Sequence, residues 1–513
     1  MTIRPLQGAS ILVVGAGIMG AGIAQLAARA GHRMQLFDAR AGEAQQAVRK
    51  LGATLDALVA KGKLTAEAAE ITLGRIEPLA ALEELRDDTR LVIEAIVEDL
   101  DAKRALFQQL EALLAADCVL ATNTSSISVT AIANGLEHPG RLVGMHFFNP
   151  VAQMKLVEVV SGLHTDASVA AAIFDLSCAW GKTPVHARST PGFIVNRIAR
   201  PFYAETLALL LEQAATPQVL DACLRAAGFR MGPCELMDLI GHDTNFAVTL
   251  SVYKAHFFDK RFAPSPVQHE MVDGGLLGRK SGRGFYRYQS DGSGLPPLPV
   301  AVHEAPSTTG EVTVHGVGVI ADFLDLAATR ALAQQGWGPA RVHDSGWTGL
   351  AIDGARLVLS DGRCAAELAA ELDSQDIAVF DRLLAVPTST GTALAFAVAP
   401  AASPAWRTQA AAWLAALGFA PLRLADAPGL VVARTVAMLI NEAADAVQQG
   451  VCTPDSADAA MKLGVNYPAG PFEWLSGWSV AGVIAVLDAL DAYYRGERYR
   501  ASPWLHRRNQ AAR

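Results

Sequence analysis

With 513 residues, 51% of them hydrophobic and 18% charged, the chain is long enough for several domains of about 100–200 residues and too apolar for global disorder. A net charge of −8 without a long basic run argues against a nucleic-acid partner, and no apolar stretch is long enough to cross a bilayer or to serve as a signal segment after Met1. Six scattered cysteines (Cys118, Cys178, Cys223, Cys234, Cys364, Cys452) with no Cys-x-x-Cys pair fit a reduced cytoplasm better than a disulfide framework or a metal site.

Ala9 to Val14 is a short continuous apolar run, as a strand buried on both faces requires. It leads into Gly15-Ala-Gly17-Ile18-Met19-Gly20, a Gly-x-Gly-x-x-Gly loop opening a helix expected from Ile18 to Ala30, with Gly31 as its C-cap. The first glycine permits the tight turn, the second lets a pyrophosphate approach the backbone, and the third allows close helix packing. The next strand, His32 to Phe37, ends in Asp38, 38 − 15 = 23 positions after the first glycine, against about 20 in a dinucleotide-binding unit. An acid there accepts both adenosine ribose hydroxyls and repels a 2′-phosphate. The cofactor reading is therefore NAD, although the neighbouring Arg40 keeps NADP from outright exclusion.

Residues 42–73 read as a helical pair carrying Thr54 and Lys61-Gly-Lys63, either a solvated helix end or a contact for a phosphorylated substrate. Thr89 to Glu94 is a buried strand, followed by Glu98 and then Lys103 at the start of a helix. Val119 to Asn123 ends in Thr124-Ser125-Ser126. Polar side chains at the carboxyl ends of parallel strands face the cofactor crevice, but these serines serve equally well as caps for a helix from Val129. Leu142 to His146 brings a histidine to another strand end, and Glu158 follows 158 − 146 = 12 positions later. Where such a pair converges, the carboxylate fixes the imidazole tautomer and the histidine becomes an oriented general base. A helix over 165–181 and a strand toward Ser189 complete this part.

From Thr190 the pattern turns helical, with a long apolar helix from Pro201 to Gln213, and ends near Tyr288. A Ser/Gly/Pro-rich linker follows. The later chain repeats the earlier one: Pro191-Gly-Phe-Ile-Val-Asn196 has an echo at Pro428-Gly-Leu-Val-Val-Ala433, offset 428 − 191 = 237, and Gly232-Pro-Cys-Glu returns as Gly470-Pro-Phe-Glu, offset 470 − 232 = 238. Val312 onward is a decayed strand–glycine–helix lacking the third glycine. The fold expected is an α/β Rossmann-type domain (1–189), an all-α domain (190–290), a linker (291–309), a degenerate Rossmann-like segment (310–425) and a second all-α domain (426–513). The second copy has lost the chemistry: at the shared offset Glu158 meets Ala395, Asn196 meets Ala433, and nothing near 383 is a histidine.

On these motifs, with Glu94-Ala-Ile-Val-Glu98, Asn123-Thr-Ser-Ser126, His146-Phe-Phe-Asn-Pro150 and Thr190-Pro-Gly-Phe-Ile-Val-Asn-Arg197, the first 290 residues resemble the 3-hydroxyacyl-CoA dehydrogenases. The whole chain is similar to their long bacterial form, which acts on 3-hydroxyadipyl-CoA, in phenylacetate breakdown, or on 3-hydroxybutyryl-CoA. The resemblance implies that His146 is the base, Glu158 its orienting acid, and Ser125 and Asn196 donors to the reacting oxygen, with Asn149 in support. It also implies cofactor contacts at Glu98, Lys103 and Asn123, coenzyme A contacts at Thr54 and Lys61, and a homodimer. Two rivals stand beside it. One is a hydroxyacid dehydrogenase acting on a free acid through a lysine base, Lys182 or Lys155. The other is a non-catalytic, crystallin-like or ligand-binding relative.

Overall fold

A computed structural model describes residues 5–289, 294, 303–387 and 389–511. Two compact units form, Met1–Arg197 with Gln449–Val465, and Ile198–Gln448 with Asn466–Arg513. The division differs from the expected boundaries near 189 and 425, because the second helical segment gives its residues 449–465 to the first unit. Most of the expected linker lies outside the described residues.

In the first unit, strands β1 (Ser10–Val14), β2 (Arg33–Phe37), β3 (Ile76–Pro78), β4 (Thr89–Glu94), β5 (Val119–Thr122), β6 (Leu142–Phe147), β7 (Leu156–Ser161) and β8 (Thr183–Arg188) align in the order β3-β2-β1-β4-β5-β6-β7-β8. All neighbours are parallel except β6 and β7. Ile11, Leu12 and Val13 of β1 and Leu91, Val92 and Ile93 of β4 are fully buried, which is why these strands read as unbroken apolar runs rather than alternating ones. Strand order reverses at β1, so a crevice opens beyond the carboxyl ends of β1 and β4. The helix Pro454–Gly464, from the second half of the chain, packs on β7 and β8. Gly464 closes that contact: a Cβ there would stand 2.7 Å from Leu156 Cδ2 and 3.0 Å from Val195 Cγ2.

In the second unit, β9 (Val312–His315), β10 (Ala340–Val342), β11 (Gly349–Ile352), β12 (Ala355–Leu359), β13 (Ile377–Phe380), β14 (Thr392–Val398) and β15 (Phe419–Arg423) form a mixed sheet in the order β10-β9-β11-β12-β13-β14-β15. The helix Pro217–Ala226, from the first helical segment, packs on β14. Each helical segment therefore lends one helix to the sheet of the other copy. The apolar helix expected over 201–213 spans Arg200–Leu211, and it is covered within this unit by the helix Val432–Gln448. Across that contact the buried Glu205 receives Arg434 Nε (3.0 Å) and Arg498 (2.8 Å), so the two helical copies share one core.

The second glycine loop keeps the first turn of a dinucleotide cradle. The Gly316 N–H donates to the Val342 carbonyl at 2.9 Å, as Gly15 does to Phe37 at 2.8 Å, and the third glycine position is the buried Ala321. The crevice is not repeated. β11 runs antiparallel beside β9 where β4 runs parallel beside β1, and the His315 ring stacks on Trp347 with centroids 4.2 Å apart.

Candidate active site

The glycine loop is built as its sequence demands. Gly15 sits at φ +103°, and a Cβ on it would collide with the Ala95 carbonyl. A Cβ on Gly20 would collide with the Gly15 carbonyl, whereas one on Gly17 meets nothing within 4 Å. The helix Ile18–Arg29 has no side-chain cap and no acid in its first turn, so its leading N–H groups and positive dipole end are left for an anion. Ile18 is 79% exposed, an apolar side chain beside that opening, and Met19 is half-buried. Asp38 accepts the Ala16 N–H (2.9 Å) and the Arg40 N–H (3.0 Å). Its partial burial pushes the carboxyl upward, but these bonds and the Arg40 guanidinium outweigh that and hold it below the usual carboxylate range. Open space over Gly17, free helix N–H groups and an ionised acid at the end of β2 together fit a dinucleotide with unphosphorylated ribose.

At the carboxyl end of β4, Glu94 is fully buried and accepts Lys103 Nζ (2.6 Å), the Ile96 N–H (2.7 Å) and Thr122 Oγ1 (2.7 Å). Lys103 also reaches Glu98 Oε2 at 3.3 Å and is 1% exposed. Its ammonium is thus enclosed by the two glutamates, which places Lys103 directly behind Glu98. Glu98 Oε1 in turn gathers Thr124 Oγ1 (2.7 Å), the Ser125 N–H (2.9 Å) and the Ser126 N–H (3.1 Å). Burial raises its carboxyl, but the Thr124 bond, the Lys103 charge and the Ser125 bond overcome this and leave it below the ordinary value. Ser125 and Ser126 are not the caps of the following helix. Ser128 caps Val129–Ala133, leaving the Ser125 hydroxyl on Glu98 at 3.3 Å. Asn123 ties two strand ends together, its Oδ1 accepting the Phe147 N–H at 2.9 Å.

His146 and Glu158 are register partners across the antiparallel β6–β7 pair, which explains how twelve residues bring them together. Nδ1 of His146 meets Glu158 Oε2 at 2.6 Å. The other oxygen of Glu158 accepts the Ile194 and Val195 N–H groups at 2.9 and 3.1 Å, where the chain enters the helix Val195–Ile198. Both carboxylate oxygens are thus committed and the imidazole is locked from one side. Phe148 and Phe193 rings flank it at 4.6 and 5.9 Å. Asn196, in the same helix, donates from Nδ2 to the Ser125 carbonyl at 3.5 Å. His146, Glu158, Ser125 and Asn196 therefore converge. Asn149 lies exposed on the turn after β6, and Thr54, its hydroxyl donating to the Lys50 carbonyl (2.9 Å), and Lys61 sit on the exposed face of the helix Glu43–Ala60 and its end. Of the two lysines a free-acid dehydrogenase would draw on, Lys182 is spent on the Val151 and Met154 carbonyls, and Lys155 is exposed just before β7.

The sequence carries Glu94 and Phe193-Ile-Val195 within its motifs but assigns them no role: Glu94 holds Lys103, the Phe193 ring flanks His146, and the Ile194 and Val195 N–H groups anchor Glu158.

Residues 10–190 match the family model described as 3-hydroxyacyl-CoA dehydrogenase, NAD binding domain. Residues 192–288 and 429–513 both match its C-terminal domain, and residues 357–428 match the 3-hydroxybutyryl-CoA dehydrogenase reduced Rossmann-fold domain. The chain is 42% identical over 500 residues, 97% of each chain, to the 3-hydroxyadipyl-CoA dehydrogenase of Escherichia coli K12. It is 40% identical over 277 residues to the probable 3-hydroxybutyryl-CoA dehydrogenase of Deinococcus radiodurans, covering 54% of this chain and 99% of that one. Among solved structures, a 3-hydroxybutyryl-CoA dehydrogenase from Escherichia coli K12 superimposes with a TM-score of 0.86 at 41% identity, covering 98% of both chains.

Proposed function

The chain belongs to the 3-hydroxyacyl-CoA dehydrogenase family and is an NAD-dependent 3-hydroxyacyl-CoA dehydrogenase; on that premise we propose that it oxidises (3S)-3-hydroxyadipyl-CoA or (3S)-3-hydroxybutyryl-CoA to the 3-oxoacyl-CoA, with His146 as base. The observation that carries this assignment is the 2.6 Å contact between His146 and the doubly anchored Glu158.

NAD, held over Gly15, Gly17, Ile18, Met19 and Gly20 with its ribose on Asp38, supplies the hydride acceptor for C3 of the substrate. His146 takes the proton of the 3-hydroxyl on Nε2 while Nδ1–H donates to Glu158. As the ring becomes positive, the fixed carboxylate stabilises it without reorganising. Ser125 Oγ turns from Glu98 toward the C3 oxygen and, with Asn196 Nδ2, donates to the charge developing there. Glu98, braced by Lys103 from behind, keeps the 124–126 turn in place, and Asn123 fixes the end of β5 against β6. Asn149 borders the reacting end, and Thr54 and Lys61 meet the coenzyme A portion.

Full-length likeness to a 3-hydroxyadipyl-CoA dehydrogenase supports the dicarboxylic substrate and a place in phenylacetate breakdown. A cytoplasmic setting goes with six free thiols, and a homodimer, twice 54.1 kDa, is checked by light scattering. The deciding experiment is a kcat/KM panel of butyryl, longer monoacyl and adipyl 3-hydroxyacyl-CoAs with NAD and NADP. Preference for a long monoacyl chain, or for NADP, contradicts the reading.

A further inference from the structure

In the second unit, β13 and β14 reproduce the antiparallel pair that carries His146 and Glu158 in the first. Phe380 pairs with Phe396, and one step on, the Asp381 N–H donates to the Ala395 carbonyl at 2.9 Å. Asp381 thus stands at the register position of His146, and Ala395 at that of Glu158. The aspartate has taken over the glutamate's anchoring bonds: it accepts the N–H groups of Val431, Val432 and Ala433 at 2.9, 2.7 and 3.0 Å, the counterparts at offset 237 of Ile194, Val195 and Asn196. The scaffold of the strand end is kept while the imidazole is gone.

Beside this strand end lies a cavity of about 830 Å³, whose walls include Arg382, Leu394, Val432, Trp474, Gly477 and Trp478. That volume is in the range of small-molecule sites, about 300–1,000 Å³. Two arginines line it. Arg225 is committed to Glu235. Arg382 stacks 4.5 Å from the centre of the Trp478 ring, and among the described residues its guanidinium has no ion pair and no hydrogen bond. Burial pulls it down to about 10 with no neighbouring carboxylate to raise it, which leaves it protonated at neutral pH. Glu473, Ser389 and Thr392 also line the chamber, Glu473 accepting the Gly470 N–H at 2.9 Å, but none of them pairs with Arg382, and a half-buried, unneutralised cation over an indole is stabilised by an incoming anion.

We propose that this cavity binds a carboxylate with an apolar tail, a fatty or acyl acid, its head on Arg382 and its chain along Leu394, Val432 and Trp474. Occupancy brings no oxidation, because the imidazole is absent from the strand end and both oxygens of Asp381 are taken up by backbone N–H groups. The site is independent of which acyl-CoA the first unit oxidises.

The test is equilibrium dialysis of radiolabelled octanoate against the full-length protein saturated with NAD and acetoacetyl-CoA, an oxidised pair that fills the catalytic site without turnover. The result expected is one equivalent of octanoate per chain, weakened about tenfold or more in Arg382→Met through loss of the charge-assisted pair. Gly477→Phe, where a Cβ meets nothing within 4 Å, fills the cavity from an open helix position and abolishes binding. Both variants keep wild-type thermal melting and dehydrogenase turnover. No saturable binding, binding that survives both substitutions, or binding displaced by the oxidised pair overturns the proposal.

Discussion

Glu158→Gln is nearly isosteric, so packing around the site stays, but an amide cannot do what both carboxylate oxygens do. One oxygen accepts two backbone N–H groups at 2.9 and 3.1 Å, and the other meets His146 Nδ1 at 2.6 Å. If the amide oxygen keeps Ile194 and Val195, the NH2 faces Nδ1, and the neutral ring must carry its proton on Nε2, where the substrate proton has to go. If the oxygen faces His146 instead, the NH2 confronts two backbone donors. Either way the imidazolium loses a charge-assisted bond, about 1.5–3 kcal/mol. At about 1.36 kcal/mol per decade this is about 10- to 150-fold in kcat, with tautomer inversion adding to it. NADH formation followed by absorbance measures kcat, and NADH fluorescence titration measures cofactor affinity. A fall of about tenfold or more, with NADH affinity changed less than about twofold, is the expected result. A kcat within about twofold of wild type would show that the carboxylate does not serve the imidazole, and the assignment of the pair would fail.

The glycine loop separates two kinds of damage. Gly17→Val projects into open space at φ −67° and should leave thermal melting unchanged while weakening NADH binding about tenfold or more. Gly20→Ala strikes the Gly15 carbonyl and should cost about 1–3 kcal/mol of stability in denaturant titration. Because the Glu98 carboxyl is held below its ordinary 4.5, its contribution to stability is complete above that pH and lost as pH falls through the lowered value. Acid unfolding of Glu98→Gln should therefore be less steep than that of wild type below about pH 4.5; parallel curves would contradict the shift. Gly464→Leu drives a side chain into Leu156 and Val195, the neighbours of the Glu158 anchor, and should lower kcat while leaving NADH affinity intact; unchanged kcat would show that the helix 454–464 does not brace the site.

How much of this was legible in the sequence follows from the distance over which each signal acts. The glycine loop, Asp38 and the continuous apolar strands are local, so residue order alone places them. The His146–Glu158 pair was legible because antiparallel register maps a fixed spacing onto a contact. The same register was illegible in the second copy, since the β13–β14 connection is longer: Asp381 and Ala395 are 395 − 381 = 14 apart against 12, so the offset of 237 points two residues past the true counterpart of His146. The burial of Lys103 was not legible because a lysine at a helix start carries no sign of the partners, Glu94 and Glu98, that close over it. Ser125 and Ser126 were ambiguous for a similar reason, Ser128 being an equally good cap. The exchange of helices between the two copies leaves no trace in composition, because the helices Pro217–Ala226 and Pro454–Gly464 bury apolar faces that would suit either sheet.

The most direct measurement is single-turnover NADH formation by His146→Gln at saturating substrate and NAD, beside NADH titration of the same preparation. Loss of the hydride-transfer rate by orders of magnitude with cofactor affinity intact is the result expected if the imidazole takes the hydroxyl proton. A rate within about twofold of wild type would place the base elsewhere.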